Sequence, residues 1–479
     1  MNQLSSKSVR LASQKKTNRI IPLLKPKFND NNKLTQSINQ TSKKELSTTP
    51  RRQLGLHRYN WSKNYFPGEV SLISYNVLSQ NHLEKHNNLY NGIADECLQW
   101  EYRKNKLAKQ LANFITKDKV SIFCLQEVDA DKLEEFYRPF FEKHGFEIIY
   151  HKRPLCYRGN SSYDNPTCYP DGSAIVFKSS KFEPIATEKL DFLKEFNKFN
   201  VKQAVRDVES SRYTNSMPLD LNYSTVAILQ KLQSKENDRQ FVVGTTHLAF
   251  DPRKGDLKLA QLLLLFYRIR KFANASQRSK SQRTVLPIIM TGDFNIHATS
   301  DIFNNFIIKG EIDCSKTINA LLSGQLNFHQ SKFKSAVPSL ITCHKHFYRR
   351  LYDDLPECKF IESNQISSAS TSKSIIKSPL KLQNMKMPYV DLYKRNRNDL
   401  NKQPVSTIMN ASVKMKEEVI RFLCVDHAIV SDEIPIYNRL KLPLKGEIER
   451  DWSNSKQILG YVNPSDHMPI GINFDIPAI

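Results

Sequence analysis

Asp293 and Asn295 stand two residues apart at the end of an apolar run, Pro287-Ile288-Ile289-Met290-Thr291-Gly292-Asp293-Phe294-Asn295. A carboxylate there can take a proton from water, and an amide beside it can donate to a charged oxygen. The run reads as a buried strand. The strand period of two places both side chains on one side if the extended geometry continues through the turn. An Asp or Asn after glycine is also ordinary turn chemistry, so the pair gains weight only from its company. Ser71-Leu72-Ile73-Ser74-Tyr75-Asn76-Val77-Leu78 delivers Asn76, and Val120-Ser121-Ile122-Phe123-Cys124-Leu125-Gln126-Glu127-Val128 delivers Glu127. A carboxylate inside such a run is costly to bury without a partner, and a strand-end salt bridge is the plain alternative for Glu127. Phe241-Val242-Val243-Gly244-Thr245-Thr246-His247 delivers His247, which read alone is a satisfied core histidine. Leu423-Cys424-Val425-Asp426 delivers Asp426, and Pro464-Ser465-Asp466-His467-Met468-Pro469 precedes a short final strand from Ile470 to Phe474.

The ordered set Asn, Glu, His, Asp-x-Asn, Asp and Asp-His, each beside a strand, resembles the endonuclease/exonuclease/phosphatase superfamily. The likeness is to its RNA-processing branch of deadenylases, nocturnin, 2′,5′-phosphodiesterase and the Angel proteins, and the linking text is most similar to the Angel proteins. It is carried by Ser74-Tyr75-Asn76-Val77-Leu78-Ser79-Gln80, Trp100-Glu101-Tyr102-Arg103, Cys124-Leu125-Gln126-Glu127-Val128 and Pro170-Asp171-Gly172-Ser173-Ala174-Ile175-Val176-Phe177-Lys178. The most specific stretch is Thr246-His247-Leu248 followed by Asp251-Pro252-Arg253-Lys254-Gly255-Asp256-Leu257-Lys258-Leu259-Ala260-Gln261-Leu262. The match covers residues 70–310 well and 415–476 in patches, and leaves out the first 60 residues and the segment near 315–415. His427 departs from it, since the family usually has an aromatic after the aspartate, and so does the Ser-, Asn- and Tyr-rich stretch Cys156–Cys168 on the expected rim of the site.

The resemblance implies roles that the residue chemistry accepts. Glu127 and Asn76 are expected to hold Mg²⁺, a hard cation that keeps several waters and takes few protein oxygens, with Asp466 in support and Mn²⁺ able to substitute. Asp293 is the expected general base, and Asn295 and His247 the expected contacts to the phosphate. His467 is expected to act as an imidazolium oriented by Asp426. The implied substrate is an RNA 3′ end. Angel-like proteins imply removal of a 2′,3′-cyclic phosphate, their deadenylase relatives imply stepwise 3′–5′ hydrolysis, and an inactive RNA-binding scaffold is the third reading. Such a scaffold is expected to have lost Glu127, Asp293, Asn295 or His467, and all four are present. Some Angel proteins bind a cap-binding factor through Tyr-x4-Leu plus a bulky apolar residue. The nearest match, Tyr102 to Leu107 followed by Ala108, lacks the bulky residue, so no such partner is expected. The sequence leaves oligomeric state open.

The elements that must position these groups are many short strand-like runs with few helices between them, which is not the strict alternation of a doubly wound sheet. Leu107, Leu111, Phe114 and Ile115 mark one helical face, and Leu257, Ala260, Leu264 and Tyr267 another. The expected fold is α/β, a four-layer sandwich of two packed mixed sheets with outer helices, which the resemblance makes DNase I-like. No apolar run approaches the length of a bilayer span; the longest is Leu262 to Tyr267. The eight cysteines include no C-x-x-C pair and read as free thiols of a reducing compartment.

The formal charge is +23, and the first 70 residues hold 14 Lys and Arg against 3 Asp and Glu. That balance favours a polyanionic partner. Residues 1–60 are expected to form a basic disordered tail, either an RNA tether or, since no acid precedes Asp30, an organellar presequence. The compartment is then cytoplasmic or nuclear, or mitochondrial by way of that acid-free start. A catalytic domain is expected over 65–479, with a variable, partly disordered insertion near 315–415 in which Ser363–Ser378 has no apolar period.

Overall fold

The computed structural model of the protein describes residues 61, 68–154, 171–198, 223–274, 285–313, 322–325, 361–362, 374–378, 385–386, 406–411, 419–451, 459–460 and 463–478. The basic segment 1–60, the Cys156–Cys168 stretch and most of the 315–415 insertion lie outside these residues.

The period-two runs form β1 (Val70–Asn76), β2 (Ile122–Asp129), β3 (Phe146–Lys152), β4 (Asp171–Lys178), β5 (Phe182–Asp191), β6 (Val226–Ser234), β7 (Gln240–His247) and β8 (Ile288–Asp293). The insertion contributes β9 (Met385–Lys386), and after it come β10 (Asp426–Ser431), β11 (Ile436–Arg439) and β12 (Ile470–Phe474). They make two six-stranded sheets, in the orders β11-β12-β1-β2-β4-β3 and β9-β10-β8-β7-β6-β5. Each sheet is mixed: β1 and β2 are parallel in the first, β7 and β8 in the second, and every other pairing is antiparallel.

Alternation decides what each face buries. Leu72, Cys124 and Ile175 of the first sheet join the core that also holds Val243 and Ile289 of the second. Phe241 meets Phe474 across that interface with ring centroids 6.3 Å apart. Ile73, Tyr75, Phe123 and Leu125 point the other way, under Leu107, Leu111 and Phe114 of a helix over Trp100–Thr116. This helix is α2; α1 is the short Gln80–Lys85 turn before it, and α3 spans Gly255–Ala273. Each fully buried Leu or Phe on such a face contributes about 1.5–3 kcal/mol. Helix α3 covers the outer face of the second sheet, where Gly244 leaves room for Met290 and Ile269. The result is helix, sheet, sheet, helix, the α/β sandwich that the strand-rich pattern predicts. No helix among the described residues is long and apolar enough to cross a membrane.

Two expectations are corrected. Asp426 does not end the Leu423 run; it opens β10, and because β10 runs antiparallel to β8, its first residue lies at the edge where β8 ends. The Ser- and Lys-rich segment is not wholly without structure. Ser374–Lys377 is a strand between Glu311–Asp313 and Ile361–Glu362, and its Ile376 is fully buried. A pair of adjacent isoleucines suffices to anchor one short strand where a helical period is absent.

Candidate active site

The two parallel pairs end at the same edge of the sandwich, and the carboxyl ends of parallel strands are where open α/β sheets collect function. Asn76 ends β1, His247 ends β7 and Asp293 ends β8. In register, Asp293 lies between His247 on one side and Asp426 on the other. The Asn76 amide spans the sheets, donating from Nδ2 to Glu127 Oε1 at 2.8 Å and to Asp293 Oδ2 at 3.1 Å. Its Oδ1 accepts from the Leu78 N–H at 3.0 Å. Asn76 therefore turns N–H groups, not the oxygen expected of a metal ligand, toward the two carboxylates.

Glu127 reaches the site by a local break in the pleat. Strict alternation assigns it to the face of Phe123 and Leu125, away from the second sheet. The register of β2 with β4 shifts between Leu125 and Val128, and Glu127 takes a left-handed φ of 59°. A bulge with one residue in that region re-aims a side chain, at a cost of order 1–3 kcal/mol. Gln126 keeps the inward direction and donates from Nε2 to Thr245 Oγ1 of the second sheet at 2.9 Å.

Asp293 and Asn295 share the site for a different reason from continued extension. Asn295 is left-handed, at φ 51°, and its N–H donates to Asp293 Oδ1 at 2.9 Å, so the chain folds back on the carboxylate. Gly292 makes this possible: at φ 143° a Cβ would run into the Thr246 carbonyl. Behind the turn lies Lys258 of α3, fully buried, donating to Asn295 O at 2.9 Å and to Gln325 Oε1. Gln325 Nε2 donates in turn to Asn295 Oδ1 at 3.3 Å, and Asn295 Nδ2 donates to Leu248 O at 3.2 Å.

The Pro464–His467 loop is bound to β1 by groups with spare hydrogen-bonding capacity. Ser465 Oγ donates to Asn76 O at 2.7 Å, and Asn463 Nδ2 donates to His467 O at 2.6 Å. The buried guanidinium of Arg103 donates to Pro464 O at 2.9 Å and to Val77 O and Leu78 O at 2.8 and 2.6 Å. His467 consequently lies with Nδ1 2.9 Å from Asp426 Oδ2 and Nε2 3.6 Å from Asp293 Oδ2. Asp466 Oδ2 accepts from the Tyr90 hydroxyl at 3.0 Å.

Burial and neighbours split the charges. Burial disfavours an imidazolium at His467, but Asp426, Asp293 and Asp466 outweigh it and hold its pKa well above the usual range. His247, 3.6 Å from Asp293 and 3.8 Å from Glu127, is driven by burial down to about 3 and stays neutral. Two imidazoles flanking one carboxylate thus carry different charges, the pattern by which one site separates acid from acceptor roles. Burial pushes Asp293 upward, toward the range of a working general base. Burial also opposes a charged Glu127, yet the His82 contact at Oε2, 3.1 Å, and the Asn76 amide hold it well below the ordinary carboxylate range.

Residue types alone did not point to Gln126, Lys258, Gln325, His82 or Tyr90, which have no role in the strand-end pattern. Arg103 and Lys258 do stand inside the quoted stretches Trp100–Arg103 and Asp251–Leu262, without a role that spacing could supply.

A divalent cation fits the oxygen groups beside Glu127. Glu127 is charged and buried, Asp466 is raised by burial and by the Glu127 charge, and Asp466 Oδ1 is buried with no partner among the described residues. Two crowded carboxylates and one unmatched oxygen are what a hard cation relieves. Asp293, Asp426 and His467 also offer atoms within 4.8 Å of one another, with His467 Nδ1 and Asp426 Oδ2 joined directly at 2.9 Å.

Two facing mixed sheets with outer helices, and a cleft of carboxylates, imidazoles and amides at the ends of their parallel strands, define the DNase I-like class. The sequence profile of the Endonuclease/Exonuclease/phosphatase family matches residues 73–467, and the chain belongs to that family. It is 30% identical over 247 residues to the CCR4-Not complex 3′-5′-exoribonuclease subunit Ccr4 of Candida glabrata, covering 52% of this chain and 26% of that protein. It is 30% identical over 267 residues to Protein angel homolog 2 of Bos taurus, covering 55% of this chain and 41% of that protein. The matched region is therefore well under half of either relative. The crystal structure of ANGEL2, a 2′,3′-cyclic phosphatase, in complex with adenosine-2′,3′-vanadate covers 88% of this chain and 99% of that one, with a TM-score of 0.61 at 24% identity. That likeness shows the shared fold.

Proposed function

We propose that the chain is a Mg²⁺-dependent phosphohydrolase that acts on RNA 3′ ends and hydrolyses a terminal 2′,3′-cyclic phosphate. The observation that carries the chemistry is the row Asp426–His467–Asp293, with contacts of 2.9 and 3.6 Å, facing Glu127 across the Asn76 amide. The substrate class comes from the similarity to Protein angel homolog 2 and from the fold shared with a 2′,3′-cyclic phosphatase.

Glu127 and Asp466 would hold the cation, which when bound supplies a positive charge that polarises a phosphoryl oxygen. Asn76 orients Glu127 and Asp293 together rather than offering an oxygen. Asp293 accepts the proton of the attacking water. His467, kept protonated by Asp426, and Asn295 donate to the oxygens on which charge gathers in the transition state. His247 contacts the phosphate from the opposite side. The basic residues 1–60 add long-range attraction for a polyanion, and with it salt dependence.

A second reading, stepwise 3′–5′ hydrolysis of RNA, is favoured by the similarity to Ccr4. The same base and cation serve both, because each reaction places water at a phosphorus next to the terminal ribose. The deciding assay compares matched RNAs ending in a 2′,3′-cyclic phosphate, a 3′-phosphate and a poly(A) 3′-hydroxyl, with Mg²⁺ and with chelator. Metal-dependent opening of the cyclic end to a phosphomonoester, with or without a second hydrolysis that releases phosphate, supports the first reading; ladder shortening of poly(A) supports the second; and metal-independent or absent turnover on all three removes both.

A further inference from the structure

Arg153 follows β3 directly and sits at the far side of His247 from Asp293. Its Nη2 donates to Asp171 Oδ2 at 3.0 Å and to His247 Nδ1 at 3.4 Å. Its backbone N–H donates to Asp171 O at 2.8 Å, so Asp171 anchors both its main chain and its side chain. Asp171 is fully buried at the start of β4.

A guanidinium only donates hydrogen bonds. An imidazole nitrogen that receives one from it cannot carry a proton itself. With Nδ1 receiving the guanidinium at 3.4 Å, the buried ring has one proton, and that proton must be on Nε2. The competing arrangement would put it on Nδ1, aimed at Glu127 Oε1, but that oxygen is 3.8 Å away and already accepts from Asn76 at 2.8 Å. Nε2 lies 3.6 Å from Asp293 Oδ2, too far for a direct hydrogen bond and facing the carboxylate that is to activate water.

We propose that Arg153, held by Asp171, is a positioning residue that fixes His247 as its neutral Nε2–H tautomer, so that His247 presents a donor to a phosphoryl oxygen of the substrate. The identity of that acceptor rests on the phosphohydrolase reading above; the tautomer does not. The orientation of one ring nitrogen by what the other nitrogen contacts is the general way in which a protein chooses between histidine tautomers. Without Arg153, the imidazole is free to turn Nδ1–H toward Glu127 and to present a bare Nε2, an acceptor, where a donor is needed.

The test is nitrogen NMR on the full chain labelled with ¹⁵N-histidine, free of metal, with His247 picked out of the twelve histidines by its loss in His247→Gln. The wild type is expected to show a protonated Nε2 and a bare Nδ1. In Arg153→Met the proton should move to Nδ1 or divide between the two nitrogens, while Arg153→Lys, which still donates, should keep it on Nε2. Turnover should fall about 10²-fold in kcat in Arg153→Met with KM little changed, as for loss of one donor to transition-state charge, and should recover in part in Arg153→Lys. A wild-type Nδ1–H tautomer overturns the proposal, and that spectrum decides even if Arg153→Met fails to fold. An Nε2–H signal or a kcat that is unchanged in folded Arg153→Met overturns it equally. An Nε2–H wild type that turns over none of the three RNAs removes the function reading and leaves the tautomer assignment standing.

Discussion

Asp426 lies directly opposite Asp293 in the antiparallel register of β10 and β8, and the imidazole of His467 is set between the two carboxylates. Asp426 makes the closer contact and is the largest influence favouring the charged ring. Removing an anion lowers the pKa of a neighbouring imidazolium. Asp426→Asn should therefore lower kcat by about 10²–10⁴-fold, the range for loss of a proton-handling group. What activity is left should fail at lower pH than in the wild type, because His467 loses its proton earlier. A pH–rate profile of both proteins on one RNA substrate checks this; an alkaline limb that does not move would show that Asp426 does not set the charge of His467.

Glu127 and Asp293 are both joined to Asn76, yet their expected parts differ. Glu127→Gln replaces a charged oxygen donor with a neutral one, so the Mg²⁺ concentration for half-maximal activity should rise and added Mg²⁺ should recover much of the rate. Asp293→Asn cannot accept a proton, and its loss, about 10²–10⁴-fold, should persist at any Mg²⁺ concentration. Metal titrations of both variants separate the roles, and the reverse pattern would mean that ligand and base are exchanged.

Gly292 and Gly310 are both at positive φ, 143° and 79°, but only at Gly292 does a Cβ meet backbone, the Thr246 carbonyl, while Gly310 opens to free space. Gly310→Ala should cost about 1 kcal/mol in urea unfolding, the ordinary strain of a left-handed L residue. Gly292→Ala should cost clearly more, since β7 and β8 must separate to admit the methyl group. Equal costs for the two would mean that β7 and β8 part at Gly292 without penalty.

Lys258 is buried behind Asn295, and burial lowers its pKa from 10.5 to about 7. Below that value the ammonium is charged in both the folded and the unfolded chain, and its burial penalty is fully present. Between about 7 and 10.5 the unfolded chain holds a proton that the folded chain has released. Stability rises with pH wherever the unfolded state binds more protons. The melting temperature of the wild type should therefore improve relative to Lys258→Met as pH rises from 7 toward 10. A difference that is flat with pH would show that Lys258 keeps its charge throughout. At neutral pH the same variant should also lose kcat, because Asn295 loses the donor at its carbonyl and the Gln325 that holds its amide.

The sequence by itself determined the strands, the helical faces and the identity of the strand-end groups, because side-chain period and burial are local properties of the chain. Ile73 and Tyr75 alternate with Leu72 and Ser74 whatever else the protein does, and Leu107, Leu111 and Phe114 mark a buried helical face at any docking angle. Tertiary structure alone decided how those groups meet. Period two puts Glu127 on the wrong face, and only the bulge beside β4 turns it inward. Asp293 and Asn295 are joined by a left-handed turn that the packing of Thr246 against Gly292 permits, not by continued extension. Asp426 reaches Asp293 because β10 runs antiparallel, which no local pattern reveals. The charges followed from the same step: His247 and His467 are one residue type, and their opposite protonation depends on which carboxylates and which guanidinium the fold brings within 4 Å.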